Sequence, residues 1–95
     1  MVTEFSLKNM KVIISAGGSG IGKAILGHFH SQGAKIATCD INRDFISSLN
    51  DQYPGIYTEI LDVSNEHSVQ SFCSNAIENL GGLDCLVNNA GIAGP

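Results

Sequence analysis

Ser15 to Gly22 reads SAGGSGIG, and its glycines fall where an apolar run gives way to a segment of helical spacing. Glycine at such a junction lets the backbone approach a pyrophosphate, whose charge is met by free N–H groups and the positive end of the helix dipole. Glycine also serves ordinary tight turns, so the turn takes its meaning from context. Asp40 supplies that context. It ends the next apolar run, near the roughly 20-residue spacing at which a carboxylate accepts hydrogen bonds from the adenosine ribose hydroxyls. A 2′-phosphate there would meet like charge, so the pair predicts NAD rather than NADP.

Other chemistries have weaker claims on these residues. Gly17 to Lys23 spells G-x-x-x-x-G-K, but the next position holds Ala24, where a phosphate-binding P-loop needs a Ser or Thr hydroxyl for magnesium. Cys39, Cys73 and Cys85 sit singly in apolar runs without the paired spacing of a zinc site, and buried free thiols are expected. His28, His30 and His67 have no carboxylate or cysteine partner at a ligand spacing, so no metal site is expected.

A turn and a carboxylate so placed need strands and helices to hold them, and the periodicity of the chain supplies both. Lys11 to Ser15 (KVIIS) has the continuous apolar centre of a strand covered on both faces. Gly20 to Gln32 follows as a helix with Ile21, Ile25 and Phe29 on one face, and Gly33 can stop it. Lys35 to Asp40 is the second strand. Phe45, Ile46 and Leu49 mark a shorter helix ending near Tyr53-Pro54-Gly55, before a third strand at Ile56 to Leu61. Ser64 is placed to cap a third helix whose Val69, Phe72, Cys73, Ala76, Ile77 and Leu80 form one stripe, ended by Gly81-Gly82. Asp84 to Asn88 is strand four. This alternation predicts an α/β fold, and right-handed crossovers order the parallel sheet 3-2-1-4, with helices one and two on one face and helix three on the other. The expected product is a partial Rossmann doubly wound sheet, a single partial NAD(P)-binding domain over residues 1–95.

With those elements assigned, the sequence resembles the short-chain dehydrogenase/reductase family through three motifs spread over nearly the whole chain. SAGGSGIG resembles the family's TGxxxGIG, Leu61-Asp62-Val63 resembles its acidic adenine-side motif, and Asn88 to Gly91 (NNAG) matches its signature after strand four. The resemblance implies that Gly17, Ser19 and Ile21 form the pyrophosphate and ribose turn, in a cofactor-binding stretch that also takes in Ala16, Gly20 and Gly22. It implies further that Asp62 and Val63 contact adenine, and that Asn89, Ala90 and Gly91 contact the nicotinamide-side ribose. Asn88 is expected to brace strands through side-chain hydrogen bonds. One departure is Ser15-Ala16 in place of the commonest Thr-Gly: the hydroxyl is kept, but the Cβ of Ala16 predicts a backbone without positive φ. NNAG and the glycine spacing also argue against a methyltransferase, another fold with a glycine turn after strand one and an acid after strand two.

In this family hydride transfer uses a Ser and a Tyr-x-x-x-Lys, with Tyr as general acid/base and Lys lowering its pKa. Tyr53 and Tyr57 are followed four residues later by Tyr57 and Leu61, so neither begins that motif. The resemblance therefore implies the NAD(H)-binding portion of an oxidoreductase acting on an alcohol or carbonyl substrate, truncated before its catalytic residues and inactive alone. The alternative is a non-catalytic dinucleotide-binding or interaction module. Strand four would be an open edge, with Cys85, Leu86 and Val87 deprived of covering helices, which predicts self-association or pairing with the remainder of a longer chain.

Composition narrows the partners. The 95 residues are 43% hydrophobic and 15% charged, a globular balance within the size of one domain. A net charge of −4 without a basic cluster offers no docking surface to nucleic acid or an anionic membrane. The apolar runs are too short to span a bilayer, and Met1 to Met10 lacks a signal-peptide core, so a soluble cytoplasmic protein is expected.

Overall fold

A computed structural model describes residues 8–18 and 20–89. Strands β1 (Lys11–Ser15), β2 (Lys35–Asp40), β3 (Tyr57–Ile60) and β4 (Cys85–Val87) form one parallel sheet in the order β3-β2-β1-β4. The connections are α1 (Gly20–Ser31), α2 (Arg43–Gln52) and α3 (Glu66–Leu80). Sheet order and element count are those predicted from the sequence.

The period-2 geometry of a strand explains why β1 and β2 are apolar at consecutive positions. Val12, Ile14 and Ile36 pack with Leu26 of α1 and with Ile46 and Leu49 of α2. The intervening Ile13, Ala37 and Cys39 face Phe72, Ala76 and Leu80 of α3. Helices one and two thus cover one face and helix three the other. β4 is covered unevenly. Cys85 and Val87 pack against the first cluster, whereas Leu86, on the opposite side of the strand, is 55% exposed. Loss of cover is therefore confined to Leu86 and does not extend to its neighbours.

Several local features differ from the sequence reading. The third helix is capped by Asn65, whose side chain accepts from the Ser68 amide at 3.0 Å. Ser64 instead donates its backbone N–H and its hydroxyl to Asp62 Oδ1, closing the preceding turn. β3 and β4 are each shorter at both ends than expected, because their ladders extend only as far as their neighbours' backbones remain in register. Ile21 does not share the buried face of Ile25 and Phe29; it is 71% exposed. The inward face of α1 is set by Gly22 and Leu26, which leaves Ile21 on the solvent side of the helix. Of the three cysteines Cys39 alone is fully buried, and Cys73 and Cys85 are half-buried free thiols.

Register brings the functional candidates to one end. Ser15 lies beside Cys39, and Ile14 lies between Thr38 and Val87. Start-to-start alignment of β1 and β4 is fixed by the Lys11 amide donating to Asp84 Oδ2 at 2.9 Å and the Asp84 amide donating to the Lys11 carbonyl at 2.8 Å. The segments leaving β1, β2 and β4 consequently emerge together. Among the described residues no helix is long and apolar enough to cross a membrane.

Candidate functional site

Strand order, though not strand direction, reverses at β1: from β1 the chain crosses to β2 and then β3 on one side, and β4 arrives on the other by way of α3 on the opposite face. In open α/β sheets such a switch point leaves a crevice beyond the carboxyl ends of the strands, where ligands bind. The residues bordering it are Ala16 to Gly18, the start of α1, Asp40, and Asn88 with Asn89.

Ala16 opens the turn with φ +54°, contrary to the expectation that its Cβ would keep φ negative. An L residue in this region is disfavoured by about 1–2 kcal/mol, and bonds on either side hold it there. The Asn89 side-chain amide donates to the Ala16 carbonyl at 3.2 Å. The Gly17 amide is shared between Thr38 Oγ1 at 3.1 Å and the Cys39 carbonyl at 3.3 Å. Close approach explains Gly22: a Cβ there would overlap the Ala16 carbonyl and stand 2.7 Å from the Asn89 amide nitrogen. The amides of Gly17 and Gly18 both donate into the protein, so among the described residues the donors left to the crevice are those of the first turn of α1, Gly20 to Gly22, which have no partner within a helix.

Asp40 is only 8% exposed, yet it is held as an acceptor at both oxygens. Oδ2 receives the Gly18 amide at 3.2 Å and Oδ1 the Asn42 amide at 2.9 Å. This joins the glycine turn to the start of α2, which Asn42 caps by accepting from the Phe45 amide at 3.0 Å. A Cβ on Gly18 would lie 2.7 Å from Asp40 Oδ2 and 2.6 Å from Phe45 Cβ, so glycine is required for this union. Each carboxylate oxygen retains acceptor capacity toward a hydroxyl donor.

Beyond Asp40 the rim is formed by Ile41, 65% exposed, and by the residues following β3. The Leu61 amide donates to the Asp40 carbonyl at 3.1 Å, which sets Asp62 next to this rim. The backbone N–H of Ser64, and then its hydroxyl, hold the Asp62 carboxyl below the usual carboxylate range. Val63 packs against the α3-side core and is half-buried. On the β4 side, the Ser15 hydroxyl donates to Asn88 Oδ1 at 3.2 Å, the strand-bracing role expected of Asn88.

Similarity to known proteins agrees with this arrangement. A family model described as short chain dehydrogenase matches residues 10–95. This chain belongs to the short chain dehydrogenase family. It is 37% identical over 84 residues to an L-fucose dehydrogenase of Bos taurus, covering 88% of this chain and 31% of that protein. It is 36% identical over 87 residues to a 7alpha-hydroxysteroid dehydrogenase of Escherichia coli K12, covering 87% of this chain and 34% of the relative. A crystal structure of a short chain dehydrogenase from Bacillus anthracis superposes with a TM-score of 0.80 at 30% identity, over 88% of this chain and 35% of that one. The chain spans about a third of the length of the curated relatives it matches. The family consists of oxidoreductases that bind a nicotinamide dinucleotide.

Of the site residues expected in a short chain dehydrogenase, the fold brings Ala16, Gly17, Gly20, Ile21, Gly22, Asp40 and Asn89 to one crevice, with Asp62 and Val63 at its far rim. Ser19, Ala90 and Gly91 lie outside the described residues. Thr38, Asn42 and the exposed Ile41 were not anticipated. Thr38 carried a faint signal, as the one hydroxyl in the otherwise apolar run Ile36 to Cys39.

Proposed function

We propose that this chain is the NAD(H)-binding portion of a short chain dehydrogenase acting on an alcohol or carbonyl substrate. The observation that carries the reading is the direct bond from the Gly18 amide to Asp40, which couples the glycine turn to an acidic strand end at the switch point. The residues present fit a dinucleotide. The cradle at Gly22 leaves no room for a Cβ, the amides of Gly20 to Gly22 are placed to meet a pyrophosphate, and Asp40 can accept from the two adenosine ribose hydroxyls. Ile41, Asp62 and Val63 would border the adenine, while Asn89, with Ala90 and Gly91, would serve the nicotinamide-side ribose. When bound, the dinucleotide supplies the hydride acceptor or donor. The protein's part is to bind, orient and exclude water.

NAD is favoured over NADP because Asp40 is fixed as an anion-type acceptor where a 2′-phosphate would stand. Neither tyrosine is available at the crevice as an acid/base. Tyr53 closes α2 and packs on His30 at a ring separation of 4.8 Å, and the Tyr57 hydroxyl donates to Glu59 at 2.7 Å. The 95 residues are therefore expected to bind without turnover. Three free thiols agree with a reducing, cytoplasmic setting, and the exposed Leu86 marks β4 as the edge at which a further strand or a second copy would pair.

An amide-resolved NMR titration with NAD, NADP and S-adenosylmethionine tests the reading. NAD is expected to perturb Gly20, Ile21, Gly22, Asp40 and Asn89 first, with no oxidation of an alcohol panel. Perturbation by S-adenosylmethionine in place of NAD, or NADP binding as tightly as NAD, would overturn it.

A further inference from the structure

We propose that Thr38 is a positioning residue for the dinucleotide turn: its buried hydroxyl fixes the backbone at Gly17 and so sets where the free amides of α1 face the pyrophosphate. This inference rests on the dinucleotide reading above and adds to it a residue outside the glycine, acid and NNAG motifs.

Thr38 is fully buried at the centre of β2. A hydroxyl there is unfavourable unless both of its capacities are used. It donates to the Ile14 carbonyl on β1 at 2.6 Å, and this spends its single proton. The oxygen facing the turn is therefore an acceptor, and it receives the Gly17 amide at 3.1 Å. The fit is steric as well as polar, since a Cβ on Gly17 would fall on Thr38 Oγ1. Shape and hydrogen-bond polarity thus specify each other across the two strands.

The consequence reaches the crevice through Ala16. Its left-handed backbone is held from the β2 side by the Thr38 bond to Gly17 and from the β4 side by the Asn89 bond to its carbonyl. Without the hydroxyl, Gly17 keeps only its longer 3.3 Å bond to the Cys39 carbonyl. The fold survives, because that amide still has a partner and valine has nearly the shape of threonine, but the turn has a looser path into α1.

The test compares the wild-type chain with Thr38→Val and Thr38→Ser, reading Gly17 amide exchange by NMR and NAD affinity by calorimetry. In Thr38→Val, Gly17 exchange should accelerate by about fivefold to tenfold and the dissociation constant for NAD should rise by a similar factor, the worth of one neutral hydrogen bond. The Gly18 amide, bonded to Asp40, should exchange as before, and Thr38→Ser should restore both quantities. Unchanged Gly17 exchange in Thr38→Val, or faster exchange with unchanged affinity, overturns the role of Thr38. Failure of the wild-type chain to bind NAD overturns the dinucleotide reading itself, and Gly17 exchange then still reports whether the Thr38 clamp exists.

Discussion

Replacing Ala16 by glycine should stabilise this chain, although it deletes a methyl group and adds backbone freedom. Ala16 sits at φ +54°, where an L side chain is disfavoured by about 1–2 kcal/mol and glycine is not. Glycine also loosens the unfolded chain, which offsets about 0.4–1 kcal/mol of that gain. The net expectation is about 0.5–1 kcal/mol of stabilisation, which raises the melting temperature of a chain this size by about 2–8 °C. Ala24→Gly is the matched control. Ala24 is exposed within α1, so the same chemical change there should destabilise by about 1 kcal/mol. Urea and thermal unfolding followed by circular dichroism would read both variants. Opposite signs are predicted. If Ala16→Gly destabilises as Ala24→Gly does, the left-handed strain assigned to Ala16 is refuted.

Gly22→Ala should destabilise the chain by about 1–3 kcal/mol and abolish dinucleotide binding, since its Cβ would displace Asn89 from the Ala16 carbonyl; unfolding and calorimetry on one preparation check both effects. Burial pushes the Cys39 thiol above its ordinary range, so the protonated form contributes stability fully below the unfolded thiol pKa, about 8.5, and that stability is lost as pH rises through the folded value. Tyr57, raised mainly by the hydrogen bond it donates to Glu59, acts in the same direction. Denaturation midpoints should therefore fall on the alkaline side, less so in Cys39→Ala, and an equal slope in the two proteins would contradict the assignment. The exposed Leu86 on the β4 edge predicts a chain that self-associates or is marginally stable. A sharp monomeric sedimentation boundary with cooperative unfolding would count against both.

The sheet was legible because its two central strands are buried on both faces, which writes an apolar run at Val12 to Ile14 and one broken only by Thr38 at Ile36 to Cys39. Sheet order followed from crossover handedness, a rule that depends on element order and not on exact boundaries. The cap of α3 was not legible to one residue, because Ser64 and Asn65 are both good caps, and in the fold Asp62 takes up the Ser64 hydroxyl while Asn65 accepts from the helix. Ile21 fitted a four-residue period that the tertiary structure overrode, since the close approach of Gly22 to the Ala16 carbonyl decides which face of α1 turns inward. The backbone at Ala16 was misread for a related reason. Residue type alone favours negative φ, but anchors from Thr38 and Asn89, distant in sequence, fix the turn. At the site, the glycines and Asp40 could be read from type and spacing. Thr38 left only the faint mark of a hydroxyl in an apolar run, because threonine in a strand is ordinarily just a β-branched residue.

The cofactor preference set by Asp40 is tested most directly by calorimetric titration of NAD and NADP into the wild-type chain and Asp40→Asn. Asparagine keeps an acceptor for the ribose and removes the charge that a 2′-phosphate would meet. The wild-type chain should bind NAD at least about tenfold more tightly than NADP, equivalent to about 1.4 kcal/mol, and Asp40→Asn should erase most of that difference. Equal affinity of the wild-type chain for the two dinucleotides, or no affinity for either, would contradict the account.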